Sequence, residues 1–184
     1  MADILMNFQK GLGSYLTKDQ INAQAPLVFA KAPTNPKVTD KYLFVNTETI
    51  VDDLAKLNWF PVEVAQRKTR KEEGTIFSKH MVSFQNPEIK ITSEDGDDAY
   101  PRILLTNSHD GMQSFRFSVG IFRLVCSNGL VVADEEFSDF RIKHKGYSFG
   151  ELRNVVKQAV KDLPKRVEVM NDMKNRILTQ EEKN

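Results

Sequence analysis

Between Gln113 and Ala133 the chain carries the pattern that most restricts its fold. Phe115, Phe117, Val119 and Ile121 alternate with Ser114, Arg116 and Ser118, the run continues to Cys126, and Asn128-Gly129 then precedes the apolar stretch Leu130 to Ala133. A period of two sets alternate side chains on opposite faces of a strand. Asn-Gly supplies the positive φ angles that a type I′ turn needs at both central positions. The expectation is an antiparallel hairpin, with Gly120 as the place for a bend or bulge.

Other stretches extend this into a sheet. Ile76 to Gln85 alternates, with Ile76, His80, Val82 and Phe84 on one side and Phe77, Lys79, Met81 and Ser83 on the other. Tyr42 to Val45 reads as a short strand, and Val62 and Val64 read as a strand leading into the basic run Arg67 to Lys71. Ile89 to Thr92 and Arg102 to Thr106 are expected to pair across the acidic connection Ser93 to Asp98. A last strand, Phe140 to His144, sets Arg141, Lys143 and Lys145 on one face and Phe140, Ile142 and His144 on the other.

The helical signals lie at the two ends of the chain and in one insertion. Thr17 and Gln20 form a capping-box pattern for a helix that stops before Pro26, and Pro33 and Pro36 punctuate a surface strap. Thr47 or Thr49 is placed to cap a helix with apolar positions Ile50, Val51, Leu54 and Leu57, ended by Asn58 and Pro61. Leu152, Val155, Val156, Ala159, Val160 and Leu163 make a helical stripe, Pro164 ends it, and Val167, Met170, Met173, Ile177 and Leu178 suggest a second helix. The sum is an α+β fold, mainly antiparallel sheet with helices packed at one side and a C-terminal helical pair. It divides into a peripheral N-terminal lead-in over residues 1–40, a core domain over 41–163, and a C-terminal helix and tail over 164–184.

With 184 residues, 40% of them hydrophobic, the chain is long enough for one full core. Lys plus Arg number 26 against 25 for Asp plus Glu, so any electrostatic attraction to a polyanion has to be local. A single cysteine cannot form an internal disulfide, which fits a reducing compartment. Neither a signal-peptide pattern nor a long apolar run is present, so the expectation is a cytoplasmic protein with no membrane partner.

The residues that could carry chemistry have competing readings. His109-Asp110, with His80 and His144, has the donor types of a transition-metal site, but Ser108 to Gly111 also reads as a polar turn whose Asx side chains bond nearby backbone. His80 and His144 fall on the apolar side of their strands, as a buried histidine would. Cys126 brought beside a histidine by the fold would be a nucleophile pair, yet its β-run with Phe122 and Leu124 suits a small core hydrophobe. No Gly-x-Ser-x-Gly elbow, EF-hand spacing or phosphate-cradling glycine loop occurs, so no cofactor and no metal are expected. The basic residues Arg67, Lys68, Arg70 and Lys71, with Arg141, Lys143 and Lys145, could track a phosphate backbone, Tyr147 nearby could stack on a base, and the same lysines could equally be a solvated strand face.

Six ordered segments carry a family resemblance. They are Lys41-Tyr42 ahead of the threonine-capped helix, Trp59 to Val62, Phe77 to Val82, Asn107 to Gly111, Phe122 to Gly129 and Arg141 to His144. Across roughly Pro26 to Leu163 the chain resembles the DUF932 family, also called phage/plasmid-like proteins. The resemblance implies a protein of bacteriophages, prophages and plasmids and carries over no catalytic residue. Because the three histidines, Cys126 and Arg123 fall in its segments, it groups His80, Asn107, His109, Asp110, Arg123 and His144 as one possible polar site. The expected function is that of a mobile-element accessory protein acting by binding, with nucleic acid as the first ligand. A host defence protein is the second, with the Glu94 to Asp98 loop as a mimic of nucleic acid. The enzymatic rival is a metal-dependent nuclease or phosphodiesterase using His109 and Asp110 with His80 or His144.

Overall fold

The computed structural model describes residues 15–35, 44–67, 79–89, 100–110, 115–124, 131–142, 148–159, 161 and 165, with 115, 121–124 and 131–142 described through their backbone. Five strands, β1 (Phe60–Gln66), β2 (Lys79–Gln85), β3 (Arg102–Ser108), β4 (Phe115–Leu124) and β5 (Val131–Ile142), form one antiparallel sheet in the order of the sequence. Helices α1 (Lys18–Gln24) and α2 (Thr47–Ala55), a 3-10 turn (Pro26–Phe29) and a C-terminal helix α3 over 149–159 accompany it. The architecture is α+β, as the alternation and the helical stripes predict.

The pleat sorts the sheet into two faces. Val64, Val82, Leu105 and Phe117 stand side by side across β1 to β4, and all four belong to the main core. Ile50, Val51 and Leu54 of α2 and Leu152, Val156 and Ala159 of α3 join the same core, so these helices cover that face. From the N-terminal segment come Ile21, Ala25 and Val28, all fully buried. Burying an Ile or Val side chain contributes about 1.5–3 kcal/mol. On the surface Lys18 bridges Glu48 and Asp52, and Lys31 also pairs with Glu48, whose carboxyl these ammonium groups hold below the usual carboxylate range. Exposed pairs of this kind contribute only about 0–1 kcal/mol each. Burial therefore holds the segment, and the ion pairs orient it.

Local chemistry explains the helix ends. Thr17 Oγ1 accepts from Gln20 N at 3.2 Å and Gln20 Oε1 accepts from Thr17 N at 2.8 Å, which completes the capping box. The α2 cap differs from expectation. Asn46, not Thr47 or Thr49, is the N-cap, its Oδ1 accepting from Glu48 N at 2.8 Å, and Thr47 becomes the first helical residue with its hydroxyl free for another task. At the other end Asn58 has φ 68°, and Trp59 N and Asn58 N bond Leu54 O and Ala55 O, the crossed pattern of a Schellman stop.

Three further expectations meet the sheet. The expected partner of Arg102 to Thr106 is not Ile89 to Thr92, since β2 and β4 occupy both edges of that stretch of β3, and residues 90–92 lie outside the described residues. Phe44 and Val45 lie outside any strand, and Tyr42 is outside the described residues. The two short strands expected at Leu130 to Ala133 and Phe140 to His144 are one strand, β5, whose register against β4 shifts twice and skips Phe137 and Asp134. One shift falls between Val119 and Gly120, the anticipated position. The β4–β5 register closes at Leu124 opposite Val131, as a hairpin requires, while Asn128-Gly129, the acidic loop Ser93 to Asp98 and the second C-terminal helix lie outside the described residues. Among those residues no helix is long and apolar enough to cross a membrane.

Candidate functional site

One end of the sheet gathers most of the residues singled out above. His80 opens the core-facing side of β2 and pairs in register with Asn107 of β3. Thr47 begins α2, where Cβ atoms tilt toward the helix start, and His109 sits in the bend that follows β3. All four are buried to 2% exposure or less.

The hydrogen-bond roles follow from donor counting. Leu27 O can only accept, so His109 Nε2, 3.0 Å away, carries a proton and donates to it. Asn107 Nδ2 donates to Thr47 Oγ1 at 2.9 Å, and His109 Nε2 also approaches that oxygen at 3.4 Å. With N–H donors on its lone pairs, the Thr47 hydroxyl gives its single proton to His80 Nε2 at 2.8 Å. His80 is then the Nδ1–H tautomer, and that buried Nδ1 has no hydrogen-bond partner among the described residues. Burial, with repulsion from His109 second, pushes the His80 pKa down to about 3, so the ring stays neutral.

The two imidazole rings lie 4.8 Å apart between centroids, and Phe44 packs on His109 at 4.7 Å. The bend after β3 is tied to the N-terminal segment twice more, through Thr34 N to His109 O at 2.9 Å and Asn35 Nδ2 to Asp110 O at 3.2 Å. Asp110 Oδ1 accepts from Ser108 Oγ at 2.9 Å, and Asn107 Oδ1 accepts from Ser108 N, the polar-turn chemistry of Asx residues. Both Nε2 atoms thus converge on a hydroxyl inside the fold. Among the described residues no three His, Cys, Asp or Glu side chains gather as metal ligands. This arrangement locks helix start, sheet end and N-terminal segment together.

The remaining members of the expected polar site part company. Arg123 lies in β4 opposite Val132, three residues past Gly120, which is the last β4 partner of β3, so it belongs to the far end of the sheet. His144 and Cys126 are outside the described residues.

The opposite face of the sheet has its own pattern. Arg67, exposed after β1, donates its N–H to Lys79 O at 2.9 Å and so stands opposite exposed Lys79. Lys79 pairs with Ser108; one pleat repeat away Thr106 pairs with exposed Arg116, which pairs with Arg141 of β5. Four cationic residues, on β2, β4 and β5 and just after β1, therefore share one end of one face. The next positions on this face change character: Ser118, set opposite Asp139, is buried, Glu136 stands opposite Gly120, and Arg102 Nη1 bridges Glu63 Oε2 at 2.6 Å across β2. Lys68, Arg70, Lys71, Lys143 and Lys145 are outside the described residues. Lys79 and Arg116 escaped the sequence reading because only strand pairing sets them beside Arg67 and Arg141.

Comparison with known proteins adds the following. The model of the family described as "Domain of unknown function (DUF932)" matches residues 36–184. The UPF0380 proteins YfjQ and YafZ of Escherichia coli (strain K12) are each 32% identical over 131 residues, covering 71% of this chain and 45% of theirs. The chain thus matches less than half the length of these relatives. No solved structure matches.

Proposed function

We propose that this chain, which belongs to the DUF932 family, binds nucleic acid through the cationic end of the sheet face opposite the main core. The observation that carries the reading is the grouping of Arg67, Lys79 and Arg116, all exposed, with Arg141 opposite Arg116, in a chain whose net charge is only +1. In a nearly neutral protein a cluster of one sign creates a local field that draws a polyanion to one place. The resemblance to phage and plasmid proteins supports the same class of ligand, in an accessory protein of a mobile element.

Binding is favoured over hydrolysis by the geometry around the histidines. His80 and His109 are buried and spend their Nε2 atoms on Thr47 and on Leu27 O, and Asp110 Oδ1 is engaged by Ser108. A general base or metal ligand has to face the substrate. The test is fluorescence anisotropy with labelled oligonucleotides across a salt series. Each phosphate contact contributes about −0.9 to the slope of log Kobs against log salt. A slope of about −3 to −4 is expected from four contacts, and undetectable affinity at low salt overturns the reading.

A further inference from the structure

Helix α3 is held at its start and along one side. Ser148 caps it, its Oγ accepting from Glu151 N at 3.1 Å and its carbonyl accepting from Leu152 N at 3.1 Å. Leu152, Val156 and Ala159 seat the inner stripe in the main core, and Lys56 Nζ, which pairs with Asp53, lies 5.1 Å from the centre of the Phe149 ring. The outward stripe is Arg153, Lys157 and Lys161, all exposed and helical, and Lys165, also exposed and helical, stands at the next step of four. None of these cations has an ion-pair partner among the described residues. From Ser148 to Lys165 the sequence sets the four against two acids, Glu151 and Asp162.

Stability of the helix does not account for this ridge. Like charges four residues apart repel and weaken a helix. The helix dipole favours cations only in the last turn, and Arg153 lies five residues after the Ser148 cap. We infer that the ridge is a docking surface for the phosphodiester backbone of nucleic acid, separate from the sheet-face site proposed above. The inner stripe of α3 packs on the core side of the sheet, so the ridge points away from Arg67 and Lys79 on the other face. Charge complementarity identifies the occupant. Each step of four residues advances about 6 Å, so Arg153 to Lys161 spans about 12 Å. One strand of a DNA duplex presents about three to four phosphates over that length, whereas a small anion cannot reach all three cations. Asn154 and Gln158, exposed beside them, are of the amide type that also contacts phosphate oxygens. A protein partner would centre its contact on apolar anchors, but Arg153, Asn154, Lys157, Gln158 and Lys161 make the middle of this face polar. Recognition here is by charge, without base readout.

The experiment isolates the ridge in the full chain by first replacing the sheet-face cations, with a short labelled DNA duplex as probe in an anisotropy salt series. Arg67→Ala/Lys79→Ala still binds, with a slope of about −3 from the ridge. Adding Arg153→Ala/Lys157→Ala/Lys161→Ala weakens that binding at least ten-fold at low salt, and the charge-keeping exchange Arg153→Lys/Lys157→Arg/Lys161→Arg retains it. Alanine is the strongest helix former, and circular dichroism verifies that each variant keeps its helices. Poly-L-glutamate and phosphatidylserine vesicles, matched in charge concentration, compete less well than unlabelled duplex. Equal competition by either overturns the nucleic-acid assignment in favour of an acidic protein or a lipid surface. Unchanged binding without the ridge cations, or loss of all binding in Arg67→Ala/Lys79→Ala, overturns the ridge, and the latter leaves the sheet-face reading standing. Wild-type binding in Arg67→Ala/Lys79→Ala that the ridge substitutions then remove supports the ridge and overturns the sheet-face reading. No binding by wild type overturns both.

Discussion

Thr47 Oγ1 lies 2.8 Å from His80 Nε2, and this contact joins the first residue of a helix to the first core-facing residue of a strand 33 positions later. The hydroxyl is a better partner here than a backbone cap, because Asn46 already serves the helix start. Thr47 accepts from Asn107 and donates to His80, so each polar group depends on the others.

Replacing Thr47 by valine preserves shape and removes the hydroxyl. Asn107 Nδ2 and His80 Nε2 then lose their shared partner inside the fold, at about 1–3 kcal/mol for each unsatisfied group. Urea unfolding of Thr47→Val is expected to show a loss of about 2–5 kcal/mol. Thr47→Ser, which restores the hydroxyl, recovers most of it. Equal losses in both variants would remove the hydrogen-bond account.

His80 makes stability fall with acid. Its folded pKa, pushed down to about 3, lies below the unfolded value of 6.5, so the unfolded chain takes up the proton first. The contribution is fully present above pH 6.5 and declines as pH drops toward 3, by up to about 1.4 kcal/mol per pH unit. Between pH 6.5 and 5, before carboxylates titrate appreciably, wild type should lose stability measurably faster than His80→Gln. Parallel pH profiles would contradict the assignment.

The N-terminal segment contributes through burial. Ile21→Ala opens a cavity in the main core and is expected to cost about 2–5 kcal/mol. Lys18→Ala removes exposed ion pairs to Glu48 and Asp52 and costs under about 1 kcal/mol. Thermal or urea unfolding of the two variants separates the terms, and the reverse order of effects would mean that charge, not packing, fixes this segment.

Helix α2 provides a smaller test. Asn46→Ala removes the side-chain cap and should cost about 0.5–2 kcal/mol, while Thr49→Ala, at the position where sequence spacing suggests a cap, should be close to neutral. Denaturant midpoints of the two proteins decide between the positions.

Much of this fold is legible in sequence where the deciding relation is short in range. The Thr17 and Gln20 box, the alternation of β2 and β4, the bulge at Gly120 and the Leu152, Val156, Ala159 face of α3 each depend on neighbours within a turn or a pleat. Pairing of Ile89 to Thr92 with Arg102 to Thr106 is not the one formed, because hairpin chemistry does not reveal that β2 and β4 already fill both edges of β3. Splitting β5 in two failed because the shifts at Phe137 and Asp134 interrupt the period of two.

The sequence alone therefore determined which segments turn a greasy side inward and which ends are capped, since periodicity and capping act through adjacent residues. Only the tertiary structure decided that Thr47 would meet His80, His109 and Asn107 from 33, 62 and 60 positions away. It likewise brought Arg67, Lys79, Arg116 and Arg141 to one end of one face. The physical reason is strand register: a shift of one residue turns every side chain to the other face, so which residues of different strands stand side by side depends on pairing between segments far apart in sequence.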